Sequence, residues 1–172
     1  MSKTCVITGA SRGIGRAIAI AMSKREDISN FILIARTSQG LEETASLMDN
    51  SKDTELFPLD LTNYHQVSET IQQVGERYGT IDILINVAGY ANPKSLLETS
   101  VEDWEKTYRV NVHSLFNITK ETVKFMKRTG GKILNVASTA GSSARPGWLA
   151  YASSKAALTL PCARHPSVRP VR

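Results

Sequence analysis

Tyr151-Ala152-Ser153-Ser154-Lys155 sets a phenol and an ammonium four residues apart. On a helix, positions i and i+4 share a face. A cation so placed favours phenolate over phenol and draws a tyrosine pKa down from about 10. That chemistry suits a proton donor working nearer neutral pH. The same spacing recurs at Tyr90 and Lys94, but Pro93 denies that stretch a regular helical turn. Ser138 offers a hydroxyl that could bind a carbonyl oxygen from the side opposite a proton donor. It reads equally as a turn or cap residue. Asn111 reads either as a helix-junction residue or as the holder of a backbone kink and a water.

A second chemistry is carried by Thr8-Gly9-Ala10-Ser11-Arg12-Gly13-Ile14-Gly15. Glycines let a backbone reach positive φ and let a ligand approach closely. A helix start placed behind them points free N–H groups and a favourable dipole at an anion. The glycines fall as G-x-x-x-G-x-G, one residue longer than the G-x-G-x-x-G dinucleotide fingerprint. Alone, such a triplet could be a structural turn. Its flanks, a strand before and a helix after, favour a phosphate cradle.

These groups need a scaffold. Thr4 to Ile7, Phe31 to Ala35, Glu55 to Leu59, Ile81 to Ile85 and Lys132 to Val136 read as five short apolar strands. Pro58 suits the third to a sheet edge. Helices are expected from Arg16 to Met22, Leu41 to Met48 and Asn63 to Tyr78, the last capped by Asn63 or Thr62 and ended by Gly79. Ser100 caps a further helix through Tyr108, a longer one runs from Val112 to Arg128, and a last one carries Tyr151 to Leu160. Strands that are apolar throughout and alternate with helices predict a doubly wound, parallel α/β sheet with both faces covered. Ligands of such sheets lie beyond the carboxyl ends of the strands. Gly9, Arg36, Asp60, Asn86 and Ser138 follow those ends.

The totals set bounds. At 172 residues, 41% apolar and 22% charged, the chain has ordinary globular composition. No apolar run approaches a membrane span, and no secretory segment precedes the first strand. Two cysteines, Cys5 and Cys162, make no disulfide framework, and the three histidines lack metal-ligand spacing. A reducing cytoplasm fits. The net charge of +5 owes three of its arginines to Arg164, Arg169 and Arg172, so no nucleic-acid face is expected.

The glycine loop, Asp60, Asn86-Val87-Ala88-Gly89, Asn111, Ser138 and Tyr151-x-x-x-Lys155 occur in the order seen in short-chain dehydrogenases/reductases, which this chain resembles over roughly residues 3 to 160. It is most similar to the bacterial carbonyl reductases of the 3-oxoacyl-carrier-protein kind. The resemblance implies that Tyr151 passes the proton, Lys155 holds the nicotinamide ribose, Ser138 orients the carbonyl and Asn111 holds a water of the proton relay. It implies that Gly9, Ser11, Gly13, Ile14 and Gly15 line the pyrophosphate and adjacent ribose. Asp60 and Leu61 would meet the adenine, and Asn86, Ala88 and Gly89 the adenosine ribose side. A small or acyl-carrier-linked carbonyl substrate and a homo-oligomer are further implications.

Charge argues for the cofactor. NAD-binding relatives of this sheet place a carboxylate after the second strand; here stands Arg36, with Arg12 in the glycine loop. Two guanidiniums suit a phosphate dianion, so NADP(H) is expected. The bland alternative is a pair of solvated surface arginines.

Two departures from the family pattern stand out. Val87 replaces a common asparagine. Family members also continue with two more strands and a substrate lid, whereas residues 161–172 hold three prolines and three arginines and read as an irregular tail after a single domain of residues 1–160. A truncated or frame-shifted product is the expectation, with the fifth strand left as an edge. An NADP(H)-dependent carbonyl reductase with impaired turnover is expected. The alternative is an inactive nucleotide-binding or interaction remnant of the same fold.

Overall fold

The structure, a computed structural model, describes residues 2–126, 130–143 and 145–158. Five parallel strands form one sheet: β1 (Lys3–Thr8), β2 (Ile28–Ala35), β3 (Asp53–Pro58), β4 (Ile83–Asn86) and β5 (Lys132–Asn135). Their order is β3-β2-β1-β4-β5, the order 3-2-1-4-5 that the resemblance to short-chain dehydrogenases/reductases implies. The helices are α1 (Gly13–Ser23), α2 (Ser38–Ser46), α3 (Tyr64–Tyr78), α4 (Val101–Tyr108), α5 (Ser114–Val123) and α6 (Leu149–Ala156).

The strand pleat sorts the core into two layers. Val6, Ile32, Ile34 and Leu84 face one way and pack with Val67, Ile71 and Val74 of α3 and Ile118 of α5. Cys5, Ile7, Phe31, Leu33 and Ile85 face the other way, with Ala19 of α1 and Leu41 of α2. Successive residues of Cys5–Ile7 and Phe31–Ile34 therefore serve opposite layers, which is why these stretches are apolar at every position. Burial in the apolar layer pushes the Cys5 thiol up to about 12.

The edges behave differently. Pro58 pairs with Ala35 on β3, at one edge, where its missing N–H costs no ladder bond. β5 is the other edge among the described residues. There Ile133 packs on the α3/α5 layer while Leu134 is 46% exposed. The expectation of two covered faces thus holds at the sheet centre and fails at β5.

Helix limits also move. Thr37 is extended, and α2 starts at Ser38, three residues before the predicted Leu41. Asn63 caps α3 through Gln66 N, Gly79 ends it at φ 74°, and Ser100 caps α4 through Asp103 N. The two predicted helices around Asn111 are one: α4 runs through a π-helical turn, Arg109–His113, directly into α5. Asn111 is therefore a residue of a π turn, not of a junction. The long helix ends at Val123, five residues short of the predicted Arg128, and the last helix ends at Ala156, before the predicted Leu160; the tail 161–172 lies outside the described residues. No described helix is long and apolar enough to cross a membrane.

Candidate active site

The parallel register brings Thr8, Ile34, Asn86 and Asn135 level at the carboxyl ends of four strands. Gly9, Arg36, Asp60 and Ser138 follow strand ends, Asn86 is the last residue of β4, and Lys155 donates to Val136 just past β5. Gly9 has φ 67° and lies so close to the loop after β4 that a Cβ would stand 2.8 Å from Ala88 N. Gly15 presses against the loop itself, where a Cβ would meet the Gly9 carbonyl oxygen. Gly13 has φ 56°, yet nothing lies within 4 Å of where its Cβ would be. Two glycines thus pack the loop tightly, and the third leaves open space at the start of α1. Ile14 beside it is 62% exposed, and Arg12, extended, precedes the helix. Among the described residues, no ion pair or side-chain hydrogen bond engages Arg12 or Arg36, and both are exposed.

Asp60 is exposed and accepts from the N–H and the hydroxyl of Thr62 through one oxygen, an Asx turn that opens towards α3. The Leu61 side chain is 9% exposed and belongs to the α3/α5 core layer, which leaves only its backbone for the rim. Asn86 donates to Asn135 at 3.0 Å and to Thr119 at 3.4 Å. Val87 N and Ala88 N both donate to Thr8 Oγ1, at 3.1 and 3.2 Å, so β1 holds the Asn86–Gly89 segment from beneath.

Beyond Gly89 the chain is fastened by Asn111. Its Oδ1 accepts from Tyr90 N at 2.7 Å, and its Nδ2 donates to Tyr90 O and Ser154 Oγ, both at 2.9 Å. The π turn aims this amide at both the β4 loop and α6, and 1% of the residue remains exposed. The side chain accepts one and donates two hydrogen bonds to protein groups, which leaves one lone pair of Oδ1.

Lys155 is 4% exposed, and its ammonium donates to the Val136 carbonyl at 2.9 Å. A Cβ on Gly89 would stand 3.4 Å from Lys155 Nζ and 3.6 Å from Asn111 Oδ1, so these three meet. Burial lowers the Lys155 pKa from the usual lysine range. Nζ lies 5.9 Å from the Tyr151 ring centroid, and Trp148 packs edge-on against that ring at 5.4 Å. The i, i+4 pair therefore shares a face as its spacing predicts. The other Tyr-x-x-x-Lys lies in irregular chain, and Lys94 is paired with Asp103 at 2.5 Å.

Ser138, two residues past Val136, caps a 3-10 turn (Thr139–Gly141) by accepting from Ala140 N. That turn packs on α6, where a Gly141 Cβ would stand 2.8 Å from Ala156 N. No hydrogen bond joins Ser138 to Tyr151 among the described residues. A cleft of about 310 Å³ between the turn and α6 is lined by small residues, including Ser142 and Ser153, and by neither Tyr151 nor Lys155. No described group of His, Cys, Asp and Glu could hold a metal ion.

Sequence reasoning missed three residues. Thr8 and Ser154 act through contacts 79 and 43 positions away, which no local pattern displays. Arg16 donates to Ser11 O and Thr44 Oγ1 across to α2. The only local hint was their place, each beside a motif residue.

The family described as short chain dehydrogenase matches residues 3–161. A 3-oxoacyl-acyl-carrier-protein reductase of Thermotoga maritima is 33% identical over 163 residues, covering 90% of this chain and 63% of that protein. A 2,3-dihydro-2,3-dihydroxybenzoate dehydrogenase of Bacillus subtilis is 34% identical, covering 92% of this chain and 60% of that protein. The crystal structure of an NAD+-bound xylitol dehydrogenase superposes with a TM-score of 0.83 at 30% identity, over 91% of this chain and 60% of that one. The chain thus spans about three fifths of the length of these relatives. That match runs from the first strand past the helix of Tyr151 and Lys155, and the chain belongs to the short-chain dehydrogenase family.

Proposed function

We propose that this chain carries the cofactor-binding and proton-transfer parts of an NADP(H)-dependent oxidoreductase that interconverts a carbonyl and an alcohol. The observation that carries the reading is Lys155. A lysine at 4% exposure is held against Val136 O beside Gly89, one turn from Tyr151, at the strand ends. Buried ammonium groups are costly, and such sites are candidates for function.

The residues fit a pyridine dinucleotide. The open space at Gly13 suits a pyrophosphate approaching the start of α1. Gly9, Ser11, Ile14 and Gly15 complete that cradle. Arg12 and Arg36, unpaired among the described residues, suit a 2′-phosphate. Asp60 and the Leu61 backbone would border the adenine, and Asn86, Ala88 and Gly89 the adenosine ribose. The nicotinamide, when bound, supplies or accepts the hydride. Lys155 would hold its ribose, and Tyr151 would hold the proton exchanged with the substrate oxygen. Ser138, whose hydroxyl proton is not used in capping, would orient that oxygen. Asn111 would keep Gly89 and α6 in place around them.

The names of the two relatives support a carbonyl or alcohol substrate, small or acyl-carrier-linked. We assign residues 1–160 as one NAD(P)-binding domain, expect a homo-oligomer, and place it in the reducing cytoplasm, where the buried Cys5 thiol stays free. The test is loss of NADPH absorbance with a panel of ketones and 3-oxoacyl thioesters, with Tyr151→Phe as control. Turnover that the variant keeps would refute the role of Tyr151. Dinucleotide binding with no turnover of any substrate would favour the second reading, a nucleotide-binding protein without catalysis.

A further inference from the structure

Arg16 sits one turn into α1, yet its guanidinium serves the neighbouring loop and α2. Nη2 donates to Ser11 O at 2.6 Å, to Glu43 Oε2 at 2.8 Å and to Gly40 O at 3.4 Å, and Nε donates to Thr44 Oγ1 at 3.0 Å. The Thr44 hydroxyl is fully buried and reaches Ala10 O at 2.8 Å. Gly40 closes the same contact sterically, since a Cβ there would lie 2.8 Å from Ser11 Cβ. Ala10 and Ser11 are thereby bolted to the first turn of α2.

Each bolted segment carries one exposed arginine without a side-chain partner among the described residues. Arg12 follows Ser11, and Arg36 lies two residues before Ser38, where α2 begins. Two like charges on exposed loops repel each other and would separate if nothing fixed them. Arg16 supplies the fixture through Nε and Nη2, which makes it a positioning residue. We propose that Arg16 and Gly40 form a clasp that sets the separation of the Arg12 and Arg36 segments and so determines selectivity for a 2′-phosphorylated adenosine. The proposal rests on the NADP(H) reading above. A phosphate dianion gripped from two sides demands that both forks arrive together, whereas a ribose 2′-hydroxyl asks for neither.

The test uses the full chain and two probes of the adenosine half alone, 2′,5′-ADP and 5′-AMP, titrated by calorimetry. The native chain should prefer 2′,5′-ADP. Arg16→Gln and Gly40→Ala should each lower that preference about tenfold while leaving 5′-AMP affinity within about twofold. Arg16→Lys, which keeps the charge without the fork, should fall between. Gly40→Ala keeps every Arg16 donor and instead crowds Ser11 Cβ, so it disturbs the spacing by a second, independent route. Melting curves that show both variants folded at the titration temperature, with selectivity lost, isolate the spacing effect. Equal loss of both probes, or a native preference that both variants retain, overturns the clasp alone. A native chain with no preference overturns the NADP(H) reading and the clasp together.

Discussion

The Asn111 amide closes both backbone groups of Tyr90, accepting from its N–H at 2.7 Å and donating to its carbonyl at 2.9 Å. The same Nδ2 reaches Ser154, so one side chain joins the β4 loop, the π turn and α6. Buried polar groups left without partners cost about 1–3 kcal/mol each. Asn111→Ala strands at least the Tyr90 groups, so a loss of about 2–4 kcal/mol is expected by urea unfolding. A loss below about 1 kcal/mol would show that water replaces the amide.

Thr8 makes a parallel case at the other side of the rim. Its hydroxyl oxygen accepts from Val87 N and Ala88 N. Thr8→Val keeps the shape and removes the acceptor. It should cost about 1–3 kcal/mol and weaken dinucleotide binding, because the loop touching Gly9 loses its anchor. A variant as stable as native would assign both N–H groups another partner.

Cys5 predicts a pH dependence. Burial raises its pKa from an ordinary 9.0 to about 12. The unfolded chain releases this proton first, so folded stability falls as pH climbs from about 9 towards 12. Cys5→Ala should flatten that alkaline decline. Lys155 acts with the opposite sign, because its folded pKa lies below the unfolded one. Native stability relative to Lys155→Met should therefore rise with pH up to the unfolded lysine range, about 10.4. Melting curves at a series of alkaline pH values check both slopes.

Tyr151→Phe removes only the phenolic oxygen. Turnover should drop by about 10²–10⁴, with cofactor affinity unchanged within about twofold. A matched loss of cofactor binding would instead mark Tyr151 as part of the binding surface.

Arg36→Asp should reverse the cofactor preference. A carboxylate after β2 repels a 2′-phosphate and can accept from a ribose hydroxyl. NADPH affinity should fall at least about tenfold while NADH affinity holds or improves. Fluorescence titration of both dinucleotides decides it.

The five strands, the glycine loop and the shared face of Tyr151 and Lys155 were legible because each rests on local chemistry. Apolar runs of five residues, a glycine triplet and an i, i+4 spacing are visible in a few neighbouring letters. The π turn was not legible. Its residues, Arg109 to His113, carry no proline or glycine to break a helix, and the helix widens there around Asn111. The start of α2 was misplaced because apolar spacing begins at Leu41, while the backbone turns helical at Ser38.

Sequence alone determined which groups exist at the strand ends: three glycines, two arginines, a serine, a tyrosine and a lysine in order along one chain. It determined the parallel sheet too, since the central strands, buried on both faces, carry apolar runs such as Phe31 to Ala35 between helical stretches. Tertiary structure decided what holds those groups. That Lys155 leans on Val136, that Asn111 fastens Tyr90, and that Arg16 bolts Ser11 to Gly40 are contacts across 19, 21 and 24 positions. Hydrogen bonds are short-ranged and directional, so such pairings depend on ångström-scale placement of elements, which appears only once the two core layers have closed on the sheet.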